Sequence, residues 1–191
     1  LRIWQLTVLP LDFHGDMASM GLTARRMLQA GDWALFRTRW ANLPTFAFLP
    51  ATFGLHLIAD NLFGLRLPSV IEGTTSLLFF YLLSRRLFDR WTALLATLWL
   101  AGNAAHLHFS RIASYIDPLP WLLFALWALW YGWKRRSAIG WLVAGLGFGF
   151  AALSYYAGRA GLVIAALFLL YLLVWQRQSL AGQWSGIALL A

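Results

Sequence analysis

The chain alternates long apolar runs with short polar connections. Five runs approach the roughly 20 apolar residues that a helix needs to cross a bilayer, with about 17 as a lower limit. We predict spans over Leu67–Leu83, Trp91–Phe109, Leu119–Trp133, Ala138–Ala157 and Ala160–Trp175. Leu1–Leu9 has the pattern of the end of a first span, and Trp184–Ala191 that of the start of a further one. We therefore expect residues 1–191 to be one transmembrane domain fragment of a longer protein.

The long connection from residue 10 to residue 66 contains two helical patterns. Asp16 stands at an N-cap position and Gly31 at a stop, and they enclose apolar residues at helical spacing. Those residues are Met17, Met20, Ala24, Met27 and Leu28. The pattern predicts an amphipathic helix over Met17–Ala30 that lies on the membrane surface. Pro44–Ile58 is more apolar, and we expect it to dip into the interface.

Basic residues concentrate in the connections at one side of the predicted bundle. Short loops rich in Lys and Arg remain in the cytoplasm, so this side is predicted to be cytoplasmic and residues 10–66 to lie outside. The opposite short turns carry only Arg111 and Arg159. The residues at the basic side are Arg85, Arg86, Arg90, Lys134, Arg135, Arg136 and Arg177. The predicted fold class is an all-α integral membrane protein, a multi-span helical bundle with an amphipathic surface helix in the first outer loop.

The composition supports this class and excludes others. Hydrophobic residues make up 61% of the chain and charged residues 12%, about half the charged fraction of a soluble domain. The basic residues that give the net charge of +8 lie between apolar runs, where they fix the orientation of the helices in the membrane. Nucleic acid is therefore not a predicted partner. The absence of Cys excludes disulfides and thiolate metal sites. The four His residues lack tight ligand spacing, and no metal or cofactor is predicted.

Ionisable residues from separate connections converge on the predicted outer face. Asp12, Asp16, Arg111, Asp117 and Arg159 reach it, and Tyr155 and Tyr156 approach the same level. Each has two interpretations. The aspartates either cap helices, which stabilises a helix by about 1 kcal/mol, or serve in catalysis and binding. The arginines either extend along an apolar surface to water or hold a phosphate through their planar donors.

Glu72 differs from these residues because it falls inside a predicted span. A carboxylate at membrane depth is costly, and such residues face a partner or a cavity. The sequence does not name the partner of Glu72.

Several short motifs, taken in order, resemble the GT-C glycosyltransferases, and glycosyltransferase family 39 with its protein O-mannosyltransferase and aminoarabinose-transferase branches in particular. None of these motifs is specific alone, but their order extends over nearly the whole chain. They are Arg2-Ile3-Trp4, Pro10, His14-Gly15-Asp16-Met17-Ala18, Gly64-Leu65-Arg66-Leu67-Pro68-Ser69, Tyr81-Leu82-Leu83-Ser84-Arg85-Arg86-Leu87-Phe88, His108-Phe109-Ser110-Arg111-Ile112-Ala113 and Tyr156-Ala157-Gly158-Arg159.

The resemblance implies a reaction at the non-cytoplasmic face of the cell membrane. A polyprenyl-phosphate-linked sugar is the donor, and an acceptor lipid, glycan or protein supplies a hydroxyl that attacks with inversion. By position, Asp16 is the implied base. Arg159, Arg111 and Tyr156 are implied to hold the leaving phosphate, and Asp117 is implied to be a substrate-binding or supporting acid.

One departure from the family pattern concerns residue 17. Many relatives place Glu directly after the first Asp, and this chain has Met17 there. That difference removes a paired acid, and it indicates either a different acceptor or an inactive copy. Two other classes of function remain: a transporter or flippase-like protein with Glu72 in its pathway, and a non-catalytic membrane scaffold in which Asp16 and Asp117 only cap helices.

Overall fold

The computed structural model describes residues 2–11, 13–113, 115–180 and 182–190. Within those ranges every regular element is helical, apart from one isolated bridge between Thr38 and Pro44. A 3₁₀ turn (Thr45–Phe48), the helix α2 (Leu49–Phe53) and a π-helical turn (Gly54–Ile58) follow one another, and we call them together the α2 region. The α-helices are α1 (Gly15–Ala30), α2 (Leu49–Phe53), α3 (Leu62–Leu87), α4 (Arg90–Gly102), α5 (Ala104–Phe109), α6 (Pro118–Arg135), α7 (Ala138–Ser154), α8 (Ala160–Trp175), α9 (Arg177–Leu180) and α10 (Trp184–Ala188).

Helix α1 confirms the predicted amphipathic helix, but its apolar face does not rest on lipid. Met17, Met20 and Met27 are buried, and they pack within the protein against the α2 region, Leu65 and the segment at Ile112. Gly31 ends the helix in the left-handed conformation, with φ of 60°, as predicted. An apolar stripe covers protein or lipid equally well, and here it packs on protein. The position of this helix on the membrane surface stays a prediction.

The α2 region is pressed closely against the start of α3. A Cβ atom on Gly64 would lie 1.9 Å from the carbonyl oxygen of Ala59, and one on Gly54 would lie 2.1 Å from that of Gly64. Pro68 lacks a backbone N–H, so it cannot bond the Gly64 carbonyl within the helix. This contact fixes the outer connection onto the bundle.

We expect Gly64→Ala to destabilise the protein by about 1–3 kcal/mol, because the added methyl group meets backbone atoms that cannot rotate away. Thermal unfolding of the detergent-solubilised full-length protein measures the change. Gly149→Ala is the matched control, since a Cβ atom there meets nothing within 4 Å. Equal melting temperatures for the two variants would contradict the close packing.

The described helices depart from the predicted spans in several places. Asn61 caps α3 by accepting bonds from the backbone of Phe63 and Gly64, so α3 begins before the predicted start and Pro68 lies inside it. The predicted span Trp91–Phe109 breaks at Asn103, whose side chain caps α5. Residues 2–10 form turns rather than the helical end of a span.

Helices α3 and α6 run in the same direction. Glu72, in the first half of α3, interacts with Asp117 at the start of α6. The Arg86 guanidinium lies 5.5 Å from the ring of Trp130 near the ends of the two helices. The basic ends of α3 and α6 therefore lie together, at the end of the bundle opposite Asp117.

Helices α6 and α7 form an antiparallel hairpin whose glycines permit close approach. A Cβ atom on Gly140 would lie 2.6 Å from the Cα atom of Gly132, and one on Gly147 would lie 2.9 Å from Ala125. Gly145 and Gly149, spaced four residues apart on α7, do not contribute to this contact. Instead Gly145 approaches Leu190 and Gly149 faces open space, because a different side of α7 turns toward α6.

Large apolar side chains cover much of the outside of the bundle. Trp99 on α4 is 73% exposed and Trp175 on α8 is 70% exposed. Soluble monomers rarely leave contiguous apolar patches of this kind open. Among the described residues, two helices are long and apolar enough to cross a membrane, Leu62–Leu87 and Tyr156–Trp175.

Candidate functional site

The carboxylate of Asp16 lies at one end of a row of aromatic side chains. Asp16 is exposed in the first turn of α1, and its Oδ2 accepts a hydrogen bond from the Tyr115 hydroxyl. The Tyr115 ring packs against Tyr155, with centroids 5.5 Å apart. His14, not Asp16, holds the N-cap position, so the capping interpretation of Asp16 was wrong. A negative charge in the first turn still favours the helix through its dipole.

Tyr115 and Tyr155, the first two tyrosines of this row, remain protonated. Burial raises the pKa of the Tyr115 hydroxyl well above its usual range, and its hydrogen bond to Asp16 and the charge of that carboxylate raise the pKa further. Burial also raises the pKa of Tyr155, and the charge of Asp16 acts in the same direction. Tyr115 therefore stays a donor to Asp16 across the physiological pH range.

Tyr156 and Arg159 continue the row on the side away from Asp16. The rings of Tyr155 and Tyr156 are 6.0 Å apart, and the Arg159 guanidinium lies 4.6 Å from the Tyr156 ring. The Tyr156 hydroxyl donates to the backbone carbonyl of Ala41. Arg159 is exposed at the start of α8, so this cation is available to an anion beside the row.

Two buried arginines hold the N-terminal segment in place. Arg111 donates to the carbonyl oxygens of Trp4 at 2.6 Å and Leu9 at 3.1 Å. Arg66 donates to the carbonyls of Leu6, Leu9 and Pro10 at 2.9–3.1 Å. Arg111 also lines a cavity of about 270 Å³ with Leu107 and His108. The predicted phosphate ligand Arg111 thus has a structural role as well.

Glu72 and Asp117 meet in what we call the acid–aromatic cavity. Its volume is about 180 Å³, and it lies between α3, α6, α7 and the α2 region. Asp117 holds the predicted N-cap position of α6, but its side chain makes no capping bond there. It is 3% exposed, interacts with Glu72 and accepts a hydrogen bond of 3.4 Å from the Ser69 hydroxyl. The residues that line the acid–aromatic cavity are Phe46, Ala47, Leu49, Pro50, Phe53, Glu72, Asp117, Trp121 and Ser154.

A larger polar cavity of about 530 Å³ follows the polar face of α1. It begins at Ser19, one turn after Asp16, and extends to Arg26 and Trp40. Two of its arginines, Arg37 and Arg39, pair with Asp32, whose pKa is lowered by a backbone bond from Ala34 and by these cations. The cavity offers polar groups and positive charge beside the Asp16 end of the row.

The predicted site residues fall into three neighbouring groups. Asp16, Tyr156 and Arg159 belong to the aromatic row, Arg111 holds the N-terminal segment, and Asp117 lies in the acid–aromatic cavity. Asp12 lies outside the described residues. Within the described ranges, no group of three or more His, Asp or Glu side chains is placed to hold a metal ion.

The chain belongs to a family of glycosyltransferases. The family model described as dolichyl-phosphate-mannose-protein mannosyltransferase matches residues 42–191, and the chain belongs to this family. The resemblance predicted from the motifs is confirmed.

Several curated relatives from Pseudomonas carry the name undecaprenyl phosphate-alpha-4-amino-4-deoxy-L-arabinose arabinosyl transferase. The proteins of Pseudomonas aeruginosa and Pseudomonas paraeruginosa are each 31% identical over 187 residues, which cover 90% of this chain and 33% of the relative. One Pseudomonas fluorescens protein of this name, numbered 2, is 29% identical over 189 residues, covering 90% of this chain and 31% of the relative. The chain therefore spans about a third of the length of these relatives. No solved structure matches it.

Sequence reasoning missed Tyr115 as a member of the site. Its only signal is position, because it lies in the outer connection between Arg111 and Asp117. The interaction of Glu72 with Asp117 was also missed, because one sequence does not reveal the register between two helices that lie far apart along the chain.

Proposed function

We propose that the protein containing this chain transfers a sugar from a polyprenyl phosphate to an acceptor hydroxyl at the non-cytoplasmic face of the cell membrane. The reaction inverts the anomeric centre. The acceptor hydroxyl attacks the anomeric carbon, its proton passes to a carboxylate, and the lipid phosphate leaves. The chain crosses the bilayer several times, with its basic helix ends in the cytoplasm.

Asp16 is the general base in this proposal. Its carboxylate is open to an acceptor from solvent, and Tyr115 orients it through a hydrogen bond. A positioned base of this kind contributes about 10²–10⁴-fold to a rate.

Arg159 is the main ligand of the leaving phosphate, assisted by Tyr156. A guanidinium held beside an aromatic ring is most effective where negative charge develops in the transition state. Arg111 lines the cavity of about 270 Å³ together with Leu107 and His108, and it supplies further positive charge there. Asp117 binds substrate from the acid–aromatic cavity.

The observation that carries the proposal is the continuity of the row from Asp16 through three tyrosines to Arg159. It connects a candidate base with a candidate phosphate ligand, although they belong to the first and the eighth helix. The family adds the donor class, because the matched names describe sugars on dolichyl or undecaprenyl phosphate. These names differ in the sugar itself: mannose in one and an amino sugar in the other.

Assay of the full-length protein in liposomes tests the proposal. We expect it to consume an undecaprenyl-phosphate-linked sugar and release undecaprenyl phosphate when acceptor lipids are present. Transport of the intact donor between leaflets, with no release of undecaprenyl phosphate, would favour the transporter alternative and contradict the proposal.

Tyr115→Phe is expected to lower turnover about tenfold, because a hydrogen bond to a charged carboxylate contributes about 1.5–3 kcal/mol. Phe retains the ring contact with Tyr155, so binding of the donor should change little. Steady-state kinetics of the full-length variant measures both quantities. Tyr131→Phe, on α6 near the basic end, is the control. Unchanged turnover in Tyr115→Phe would remove this tyrosine from the site.

A further inference from the structure

A cleft between α3, α6 and α8 opens near the basic end of the bundle. Its volume is about 240 Å³, and its described lining residues, two from α3, three from α6 and two from α8, are all apolar. Among them, Leu129 is 2% exposed, whereas Leu87 and Ile164 are 56% and 40% exposed. Trp130 and Phe168 line the cleft as well. We call this space the apolar cleft, and it extends from the core of the bundle to its surface.

Two cations lie on aromatic rings beside this cleft. The Arg86 guanidinium lies 5.5 Å from the ring of Trp130, which is a lining residue. The Lys134 ammonium lies 3.9 Å from the ring of Trp133, and that ring packs edge-on against the lining residue Phe168 at 5.6 Å. Both cations are exposed, and within the described ranges neither forms an ion pair. The rings therefore hold positive charge next to an apolar surface without neutralising it.

The carboxylate at this end of the bundle is engaged elsewhere. Asp89 lies in the connection after α3, and its side chain accepts hydrogen bonds from the backbone of Trp91 and Thr92 at the start of α4. An anion that balances Arg86 and Lys134 is thus to be sought outside the described part of the chain.

One molecule that combines an apolar chain with an anion complements this arrangement. A cleft without polar groups takes up an apolar chain without loss of hydrogen bonds, and a phosphate accepts charge-assisted hydrogen bonds from Arg and Lys. Anionic lipid headgroups bind in basic pockets between helices at the cytoplasmic side of membrane proteins. A further apolar helix would cover the cleft but leave both cations without an anion. Charge complementarity therefore favours a lipid over a protein segment.

The aromatic rings indicate the depth of this arrangement in a bilayer. Trp side chains concentrate at the level of the lipid headgroups, and Trp130 and Trp133 lie in the last turns of α6. Arg86 lies in the last turn of α3. A lipid phosphate at this level lies beside the two cations, while its chain extends along the cleft toward Leu129.

We propose that the apolar cleft binds an acyl chain of an anionic phospholipid from the cytoplasmic leaflet and that Arg86 and Lys134 hold the phosphate of this lipid. The choice of leaflet rests on the orientation given under the proposed function. The cleft lies at the end of the bundle opposite Asp117, so this lipid is distinct from the sugar donor. A lipid bound there joins α3, α6 and α8 where their side chains leave a gap.

Lipid titration of the full-length protein in detergent, followed by native mass spectrometry, tests the inference. The probes are phosphatidylglycerol and phosphatidylcholine with identical acyl chains. We expect the first phosphatidylglycerol to bind more tightly than the first phosphatidylcholine. Arg86→Gln should weaken phosphatidylglycerol binding about fivefold, because each cation near an anionic lipid contributes about that factor. It should weaken phosphatidylcholine binding less.

Arg85→Gln is the matched control for charge. Arg85 is exposed in the same turn of α3 and is not a lining residue of the cleft, so its variant should bind phosphatidylglycerol within twofold of wild type. Equal weakening by Arg85→Gln and Arg86→Gln would reveal a general attraction and overturn the phosphate assignment. Equal affinity of the wild-type protein for the two lipids would overturn it as well.

A second pair of variants tests the position of the acyl chain. Ile164→Trp places a larger side chain at the cleft and should weaken binding of both lipids tenfold or more, because exclusion of about two methylene groups accounts for that factor. Leu167→Trp is the control, since Leu167 is 60% exposed on the same helix and does not line the cleft. Equal melting temperatures of the two variants would show that both have folded.

Wild-type lipid binding by a folded Ile164→Trp protein would overturn the cleft as the lipid site, and it would indicate that another part of the protein fills it. Weakening by Ile164→Trp but not by Leu167→Trp is the result that supports the site. No sugar is transferred in these titrations, so failure of the proposed reaction would leave both outcomes unaffected.

Discussion

Asp16→Asn should lower sugar transfer by the full-length protein about 10²–10⁴-fold while leaving its fold intact. Asn is isosteric and can still accept the hydrogen bond from Tyr115, but its amide cannot take a proton from the acceptor hydroxyl. The loss should appear in the turnover number, with donor affinity nearly unchanged. Initial rates at saturating donor measure this effect.

Two controls make this result specific. Asp89→Asn changes another exposed carboxylate, at the N-cap of α4, and should retain transfer. Equal melting temperatures of wild type and Asp16→Asn would show that the helix start is preserved. Wild-type turnover in a correctly folded Asp16→Asn protein would exclude Asp16 as the base.

Arg159→Ala should weaken binding of undecaprenyl phosphate about 10- to 100-fold. The guanidinium is exposed beside Tyr156 and would form ionic hydrogen bonds to the phosphate, each contributing about 1.5–3 kcal/mol. Because the charge acts on the leaving group, turnover should fall as well. Equilibrium binding to nanodisc-embedded protein measures the first effect.

Comparison with another arginine distinguishes a specific ligand from general attraction. Arg177→Ala removes the same charge at α9 and should leave binding within twofold. Arg159→Lys should fall between wild type and Arg159→Ala, because Lys keeps the charge but loses the planar pair of donors. If the Arg159 and Arg177 variants bind equally well, Arg159 does not hold the phosphate.

Much of the helical architecture could be predicted because hydrophobic length and turn chemistry are local properties. Asp89 and Ser137 cap α4 and α7 close to the predicted starts, and Gly31 ends α1 where the pattern placed its end. The break at Asn103 was hidden inside one apolar run. The sequence signal for this break was weak: it consists of Gly102-Asn103, two poor helix formers in an otherwise apolar segment.

What covers each apolar face could not be predicted. Met17 and Met27 have the spacing of residues that face lipid, yet they pack on the α2 region. A methionine side chain gains nearly the same free energy from either environment. The close packing of Gly54 against Gly64 decides what covers these two methionines, and that contact depends on how the outer connection folds back.

The sequence singled out candidate site residues but not the contacts between them. Asp16 and Arg159 drew notice as charges in outer connections, whereas the residue that links Asp16 to the row, Tyr115, did not. Aromatic residues are common throughout this chain, so composition gave no reason to select one. The Glu72–Asp117 pair depends on the register of α3 against α6, which lies beyond local patterns.

Labelling of single cysteines across the membrane tests the central claim most directly. The chain has no Cys, so Asp16→Cys, Arg159→Cys and Arg135→Cys can be compared in a full-length protein freed of other reactive thiols. In intact cells, a membrane-impermeant maleimide should label positions 16 and 159 and leave position 135 unlabelled until the membrane is opened. Labelling of only one of positions 16 and 159 in intact cells would place them on opposite faces and contradict a shared site.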